Sequence, residues 1–199
     1  MDARFEVAAY SSVGKEGKGH GNTMGTIGKS DHTIGIRRAR PDDLPFLRSL
    51  ALEVFSIYGD YETILTDYFL SDGVYTYVAE KVRKGMAIPV GILMLAIRKL
   101  RRQENHIAEI VAIAVERGSQ RYGIGSRLID FAKQWPLSLS KKIPITEIHL
   151  SVAETNLSGR SFFLRQGFEK MQDEPWRYPA GQKAFRMRYS LRDRSQVMG

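Results

Sequence analysis

The sequence predicts a single domain of the α/β class, in the mixed α+β sense. Three observations carry this. From Ile34 onward, short runs of β-branched and aromatic residues alternate with segments whose apolar residues recur at helical spacing. Their order, β-α-α-β-β-β-α-β-α-β-β, mixes strands and helices irregularly and excludes a pure βαβ array. The 199 residues, 43% hydrophobic and 26% charged, suffice for one packed core and are few for two.

The elements follow in order. Ile34–Ala39 reads as a short alternating strand. Arg40-Pro41-Asp42-Asp43 is a helix start, with Asp as the cap and acid near the positive end of the dipole. Leu44, Leu47, Leu50, Ala51, Val54 and Phe55 then define a first helix running to about Tyr58. Ile64, Leu65, Tyr68 and Phe69 share a face of a second, Tyr61–Leu70. Val74–Glu80 and Pro89–Ile97 are strands joined by a turn at Lys84-Gly85-Met86. Arg98–Asn105 reads as a charged turn, and His106–Val115 as another strand. Gly123–Trp135 is a helix with Ile124, Leu128, Ile129 and Phe131 inward. Ile145–Val152 is a strand, Leu157–Gln166 a helix, Phe168–Met171 the opening of a strand, and Gln182–Leu191 the last strand.

Residues 1–33 differ in texture. Glycine recurs from 14 to 28, apolar residues are sparse, and neither period appears, so little burial offsets the entropy of ordering. The segment reads as a flexible leader to a domain over 34–191, with 192–199 as a tail. Its glycines do not make a phosphate loop, since no strand leads in and no helix follows.

The net charge is +8, from 30 Lys and Arg against 22 Asp and Glu. The first 34 residues balance, so the excess lies on the domain, which attracts anions: nucleic acid, acidic protein, a membrane surface or a polyphosphorylated cofactor. There is no cysteine, which removes disulfides, thiolate zinc sites and a cysteine nucleophile. No His/Asp/Glu spacing suggests a metal and no G-x-S-x-G context appears. No apolar run reaches the ~20 residues that span a bilayer, and Met1–Phe5 lacks the start of a secretory signal, so a cytoplasmic location is expected.

The chemistry concentrates in Glu109–Ile129, EIVAIAVERGSQRYGIGSRLI. An apolar strand enters a loop with two glycines, and the loop opens a helix. Amides at a helix start have no intrahelical partner and the dipole adds positive potential, so this is an anion site. Gly123 and Gly125 would let a phosphate approach the backbone. Gln120 and Arg121 add donors at the rim and Ser126 adds a hydroxyl. A plain strand-to-helix turn would also use glycine; the buried strand, the amphipathic helix and the Gln/Arg pair favour the anion site.

Gln120-Arg121-Tyr122-Gly123-Ile124-Gly125 resembles the R/Q-x-x-G-x-G/A signature of the GCN5-related N-acetyltransferase (GNAT) superfamily, whose loop cradles the pyrophosphate of acetyl-coenzyme A. The resemblance implies that backbone groups of Ile113, Ala114 and Val115 pair with the pantetheine arm. The block H-L-S-V-A-E-T-N-L-S-G-R-S-F-F-L-R-Q-G-F resembles the family's second signature. It puts Asn156 where an Asn bonds the cofactor arm, and Gly167-Phe168 at the helix end, where Gly caps. One departure is Phe163, which stands where the family often has a Tyr acid and would contact the cofactor without a proton to give. The resemblance extends over about 34–191, with specific motifs in 109–168. It implies a central, mostly antiparallel mixed sheet of six to seven strands flanked by about four helices. It also implies acetyl-coenzyme A as co-substrate, no metal, and direct attack by a primary amine.

That amine must lose a proton first, from ~10.4 for lysine or ~7.7 for an α-amine. Glu109 is the candidate general base, on the strand that would guide the cofactor. Burial should raise its pKa toward a useful range. The competing account is a strand Glu that faces solvent or pairs with an Arg such as Arg98. His149 and His106 are weaker bases. Pro175–Pro179 is an aromatic loop that lines an acceptor pocket or merely edges the core, and Arg98, Lys99, Arg101 and Arg102 form a basic turn. The functional reading is an N-acetyltransferase acting on a small molecule, a protein N-terminus or a lysine, with a homodimer left open. A non-catalytic acyl-coenzyme A sensor and a basic nucleic-acid module are the alternatives; the latter lacks interleaved aromatics.

Overall fold

The computed structural model describes residues 33–99, 106–139, 143–172 and 176–191. In chain order these form β1 (Thr33–Arg38), α1 (Leu44–Phe55), α2 (Tyr61–Leu70), β2 (Val74–Arg83), β3 (Met86–Lys99), β4 (His106–Val115), α3 (Ile124–Ser138), β5 (Ile145–Ala153), α4 (Leu157–Arg165), β6 (Glu169–Lys170), β7 (Trp176–Arg177) and β8 (Lys183–Ser190). The sheet runs β1-β2-β3-β4-β5-β8-β6, and the two-residue β7 joins beside β8. Only β4 and β5 pair parallel; every other pairing is antiparallel. The seven-strand path and four α-helices agree with the mixed sheet that the resemblance implies.

Alternation along the strands divides two cores. On β3, Leu93 and Leu95 join Leu128, Ile129 and Trp135 of α3 and Phe162 and Phe163 of α4. Ile92, Met94 and Ala96 join Leu50, Val54 and Phe55 of α1 and Tyr61 and Leu65 of α2. Side chains at odd and even positions leave opposite faces of a strand, so α3 and α4 cover one face and α1 and α2 the other. Among the described residues no helix is long and apolar enough to cross a membrane.

The differences from expectation have local causes. Strands β2 and β3 run on to the Lys84-Gly85 turn, because the antiparallel ladder continues as far as Arg83 and Met86. Pro89 is tolerated inside β3 because β3 meets β4 only from Gly91 onward, so the missing amide interrupts no second ladder. Arg98 and Lys99 belong to β3 rather than to a turn; Arg101, Arg102 and the rest of the expected turn lie outside the described residues, as do the leader up to 32, the tail from 192 and Pro175. The helix of α1 stops at Phe55 and one 3₁₀ turn, Ser56–Tyr58, completes the stretch. Asp43 does not cap α1 with its side chain. Its carboxylate accepts from the Arg40 amide at 2.6 Å and bidentately from Arg37 at 2.7 and 2.8 Å, and the Arg37 pairing holds it below the usual carboxylate range.

Two backbones approach closely where β3 supports β4. A Cβ on Gly91 would lie 2.8 Å from the carbonyl oxygen of Ala114. Gly91→Ala is expected to cost about 1–3 kcal/mol, since neither strand can yield without breaking its ladder. Chemical denaturation measures it, and a loss below about 0.5 kcal/mol would show that the strands part freely.

Candidate active site

The site begins where two parallel strands separate. Strands β4 and β5 pair from His106/Ile145 to Ile110/Leu150. Beyond that point β4 pairs only with β3, and β5 only with β8, among the described residues. A bulge accompanies the separation: Met94 faces Ala112 and Leu95 faces Ile110, leaving Val111 as the extra residue. The Glu116 amide donates to Val90 on β3. By alternation the backbone groups of Ala114 also face β3, while those of Ile113 and Val115 face the gap. Of the three positions expected to hold the cofactor arm, Ile113 and Val115 therefore offer main-chain groups there, and Ala114 contributes its side chain to the α1/α2 face. The Val115 carbonyl already accepts from Gln120 Nε2 at 2.9 Å.

At the head of the gap lies the start of α3. Gly123 has φ 78° and precedes Ile124, Gly125 and Ser126, whose amides have no intrahelical acceptor. No side chain caps this end and the first turn holds no acid. A Cβ on Gly123 would meet nothing within 4 Å, so open space lies in front of it. Free donors, a dipole end and room fit the diphosphate of coenzyme A. Arg121 is exposed, at φ 66°, and Tyr122 is exposed with the Lys81 ammonium 5.1 Å from its ring centre. Gln120 serves as a brace to Val115 in addition to any ligand role, and the Ser126 hydroxyl accepts from Gln166 at 3.1 Å, tying α3 to the end of α4. The loop is held from below by Lys81 on Ser119 at 2.7 Å and by Glu53 on the Arg117 amide at 3.0 Å.

The second motif closes the other wall. Asn156 is buried, and its Oδ1 accepts from the Gly159 amide at 2.9 Å, capping α4. Its side chain also hydrogen-bonds the Tyr58 hydroxyl. At the far end Gly167 takes φ 83°, and Gly167 N–H to Leu164 O with Phe168 N–H to Phe163 O forms the paired C-terminal cap expected of glycine. Phe163 is fully buried between Phe162 and Phe168, at ring centre distances of 5.3 and 5.9 Å.

Glu109 and His149 are register partners across the β4/β5 pair, on the face that α1 and α2 cover further along. Both are buried. The Arg98 guanidinium lies 2.5 Å from Glu109 Oε2, so the pairing weighed against a lone buried base is present. Glu109 is therefore both buried and paired with Arg98, combining the two accounts weighed for it. His149 Nε2 lies 2.6 Å from Glu147 Oε2, and Arg188 approaches the other oxygen at 3.5 Å. His106 stands at the start of β4, three residues before Glu109.

A roof that the sequence did not single out covers the gap. Tyr58, from the link between α1 and α2, stacks on Tyr178 at 4.8 Å. The Ala180 amide donates to Tyr58 O at 3.1 Å and Gln182 Nε2 to Ile57 O at 2.5 Å. Tyr58 and Tyr178 are 2% exposed and share a buried cluster with Ala112, Ala114 and Ala153, the residues flanking the gap. Tyr178 thus belongs to the core edge. Tyr58 ends the helical stretch that the sequence predicts, and its one sequence signal is the following Gly59, at φ 131°, where a Cβ would stand 2.9 Å from Pro179. Among the described residues no His/Cys/Asp/Glu group could hold a metal ion.

The model of the acetyltransferase (GNAT) family matches residues 42–168. Comparison with curated proteins finds no match. Among solved structures, NAA60 of Arabidopsis thaliana in complex with a bisubstrate analogue is similar at 15% identity and TM-score 0.67, covering 79% of this chain and 99% of that one. The same plant protein in complex with acetyl-CoA gives 17% identity and TM-score 0.63 over 79% and 98%. Spermidine N-acetyltransferase of Vibrio cholerae, in complex with CoA and spermine, gives 18% and 0.61 over 79% and 95%. At such identities the likeness is one of fold.

Proposed function

The chain belongs to the acetyltransferase (GNAT) family, and from that premise we propose that it transfers an acetyl group from acetyl-coenzyme A to a primary amine by direct attack in a ternary complex. One observation carries the reading: the β4/β5 gap opens onto an uncapped helix start. Amides of α3 would hold the diphosphate, Ile113 and Val115 would aim the thioester along β4, and the arm would run toward Asn156. The amine would enter from the α1/α2 face and lose its proton to Glu109, with His149 beside it. A polyamine is one acceptor class on this reading, since a similar structure holds CoA and spermine together; a protein α-amine or lysine is the other, since the same attack needs only an unprotonated primary amine.

Acetyl-coenzyme A at 100 times its dissociation constant is expected to stabilise the protein by about 2.7 kcal/mol, read as a thermal shift. Thiol release with spermine, spermidine and short peptides bearing free α-amines then identifies the acceptor class. Stabilisation without thiol release from any amine would favour the non-catalytic sensor. No stabilisation would remove the acetyl-transfer reading.

A further inference from the structure

An amide forms here only if a thiolate leaves, and the side chain at the usual acid position, Phe163, has no proton and is sealed among Phe162 and Phe168. Two phenols, Tyr58 and Tyr178, roof the gap, and the Tyr58 hydroxyl is the one bonded to Asn156. Tyr58 belongs to the same buried cluster as Val111, Ala112 and Ala114 of β4 and Ala153 of β5, the residues on either side of the strand separation. Its hydroxyl is bonded to Asn156, whose remaining polar atom caps α4. The ring is fixed by the stack on Tyr178 and by an edge contact to Tyr61 at 6.5 Å. Its backbone is fixed by the Ala180 amide. A tyrosine held this firmly in a loop, with its hydroxyl on the Asn156 side chain beside the end of β5, is built for more than filling space.

We propose that Tyr58 is the catalytic acid that protonates the sulfur of coenzyme A, in place of the residue missing at position 163. The inference rests on the acetyl-transfer reading above. The amine nitrogen bonds the acetyl carbon, the C–S bond breaks with its electron pair on sulfur, and the Tyr58 O–H gives its proton to that sulfur. The proton shed by the amine passes to the Glu109 side of the site and to solvent, and solvent returns one to the phenolate. Burial pushes the Tyr58 phenol up and the Asn156 bond opposes this, so the group is protonated at neutral pH and its anion has a donor waiting. Free phenol near ~10 holds a proton roughly 30-fold more tightly than a thiol near ~8.5, which is the deficit that the Asn156 amide helps to offset.

Tyr58→Phe keeps both ring contacts and removes the hydroxyl, with its proton and its bond to Asn156. It is expected to melt a few degrees below the wild type, the cost of one buried hydrogen bond, and to be fully folded at the assay temperature. It is expected to keep the wild-type acetyl-coenzyme A dissociation constant by thermal shift and to lose about 100-fold or more in kcat. A kcat within about threefold of wild type would overturn the proposal. So would a loss carried by weaker acetyl-coenzyme A binding with kcat intact, which would make Tyr58 a support for Asn156. The wild type is assayed first: if it binds acetyl-coenzyme A yet releases no thiol with any amine, the acetyl-transfer reading fails and the acid goes with it. An active wild type with an active Tyr58→Phe removes the acid alone.

Discussion

Gly123→Asn is expected to fold like the wild type and to bind acetyl-coenzyme A about 100-fold more weakly, a loss near 2.7 kcal/mol. Asparagine tolerates the left-handed backbone better than other side chains, so the φ of 78° is met at little cost. Its Cβ would meet no protein atom within 4 Å, so folding has no steric objection. What the side chain does fill is the space in front of the α3 amides, which the diphosphate needs. Gly123→Val separates the two effects: a β-branched residue at this φ adds strain of order 1–3 kcal/mol and should lower the melting temperature as well. Thermal shift against acetyl-coenzyme A concentration measures both. Gly123→Asn with wild-type affinity would mean that the diphosphate lies elsewhere.

Glu109→Gln is expected to lower kcat by 10²–10⁴-fold and to remove the limb of the pH–rate profile belonging to the base. It should also cost stability, on the order of 1–3 kcal/mol, because the Arg98 guanidinium loses the carboxylate 2.5 Å from it. Arg98 is a quarter exposed, so the loss falls short of that for a fully buried pair. Two readouts divide two roles. If Glu109 is only the partner of Arg98, stability falls and the pH–rate profile stays. If Glu109 takes the proton, the profile changes even at a temperature where the variant is fully folded. An unchanged profile would shift the assignment to His149, its neighbour across the strand pair.

Much of the site is legible as sequence because its parts are local. The Gln120–Ser126 loop, the strand before it and the Asn156-to-Gly167 block each use residues within one turn or one strand of one another. Backbone conformation there follows from short-range sterics, as with Gly123 and Gly167 at positive φ. The surroundings of Glu109 were legible only as alternatives. Whether Arg98 reaches it depends on β3 staying extended through Lys99 and on the register that sets Ala96 opposite Glu109. Arg98 in a turn and Arg98 in a strand are indistinguishable by composition.

The sequence by itself determined the order of elements, apart from the two-residue β7, and the glycine loop that opens α3, because hydrophobic period, glycine conformation and helix ends act over a few residues. Tertiary structure alone decided where β4 and β5 part after Ile110 and Leu150, that Glu109 meets Arg98 and His149, and that Tyr58 arrives over Asn156 from a loop about 100 positions earlier. Those contacts join segments far apart in the chain, and no local rule of spacing holds the information about which distant side chain will fill a gap between two strands.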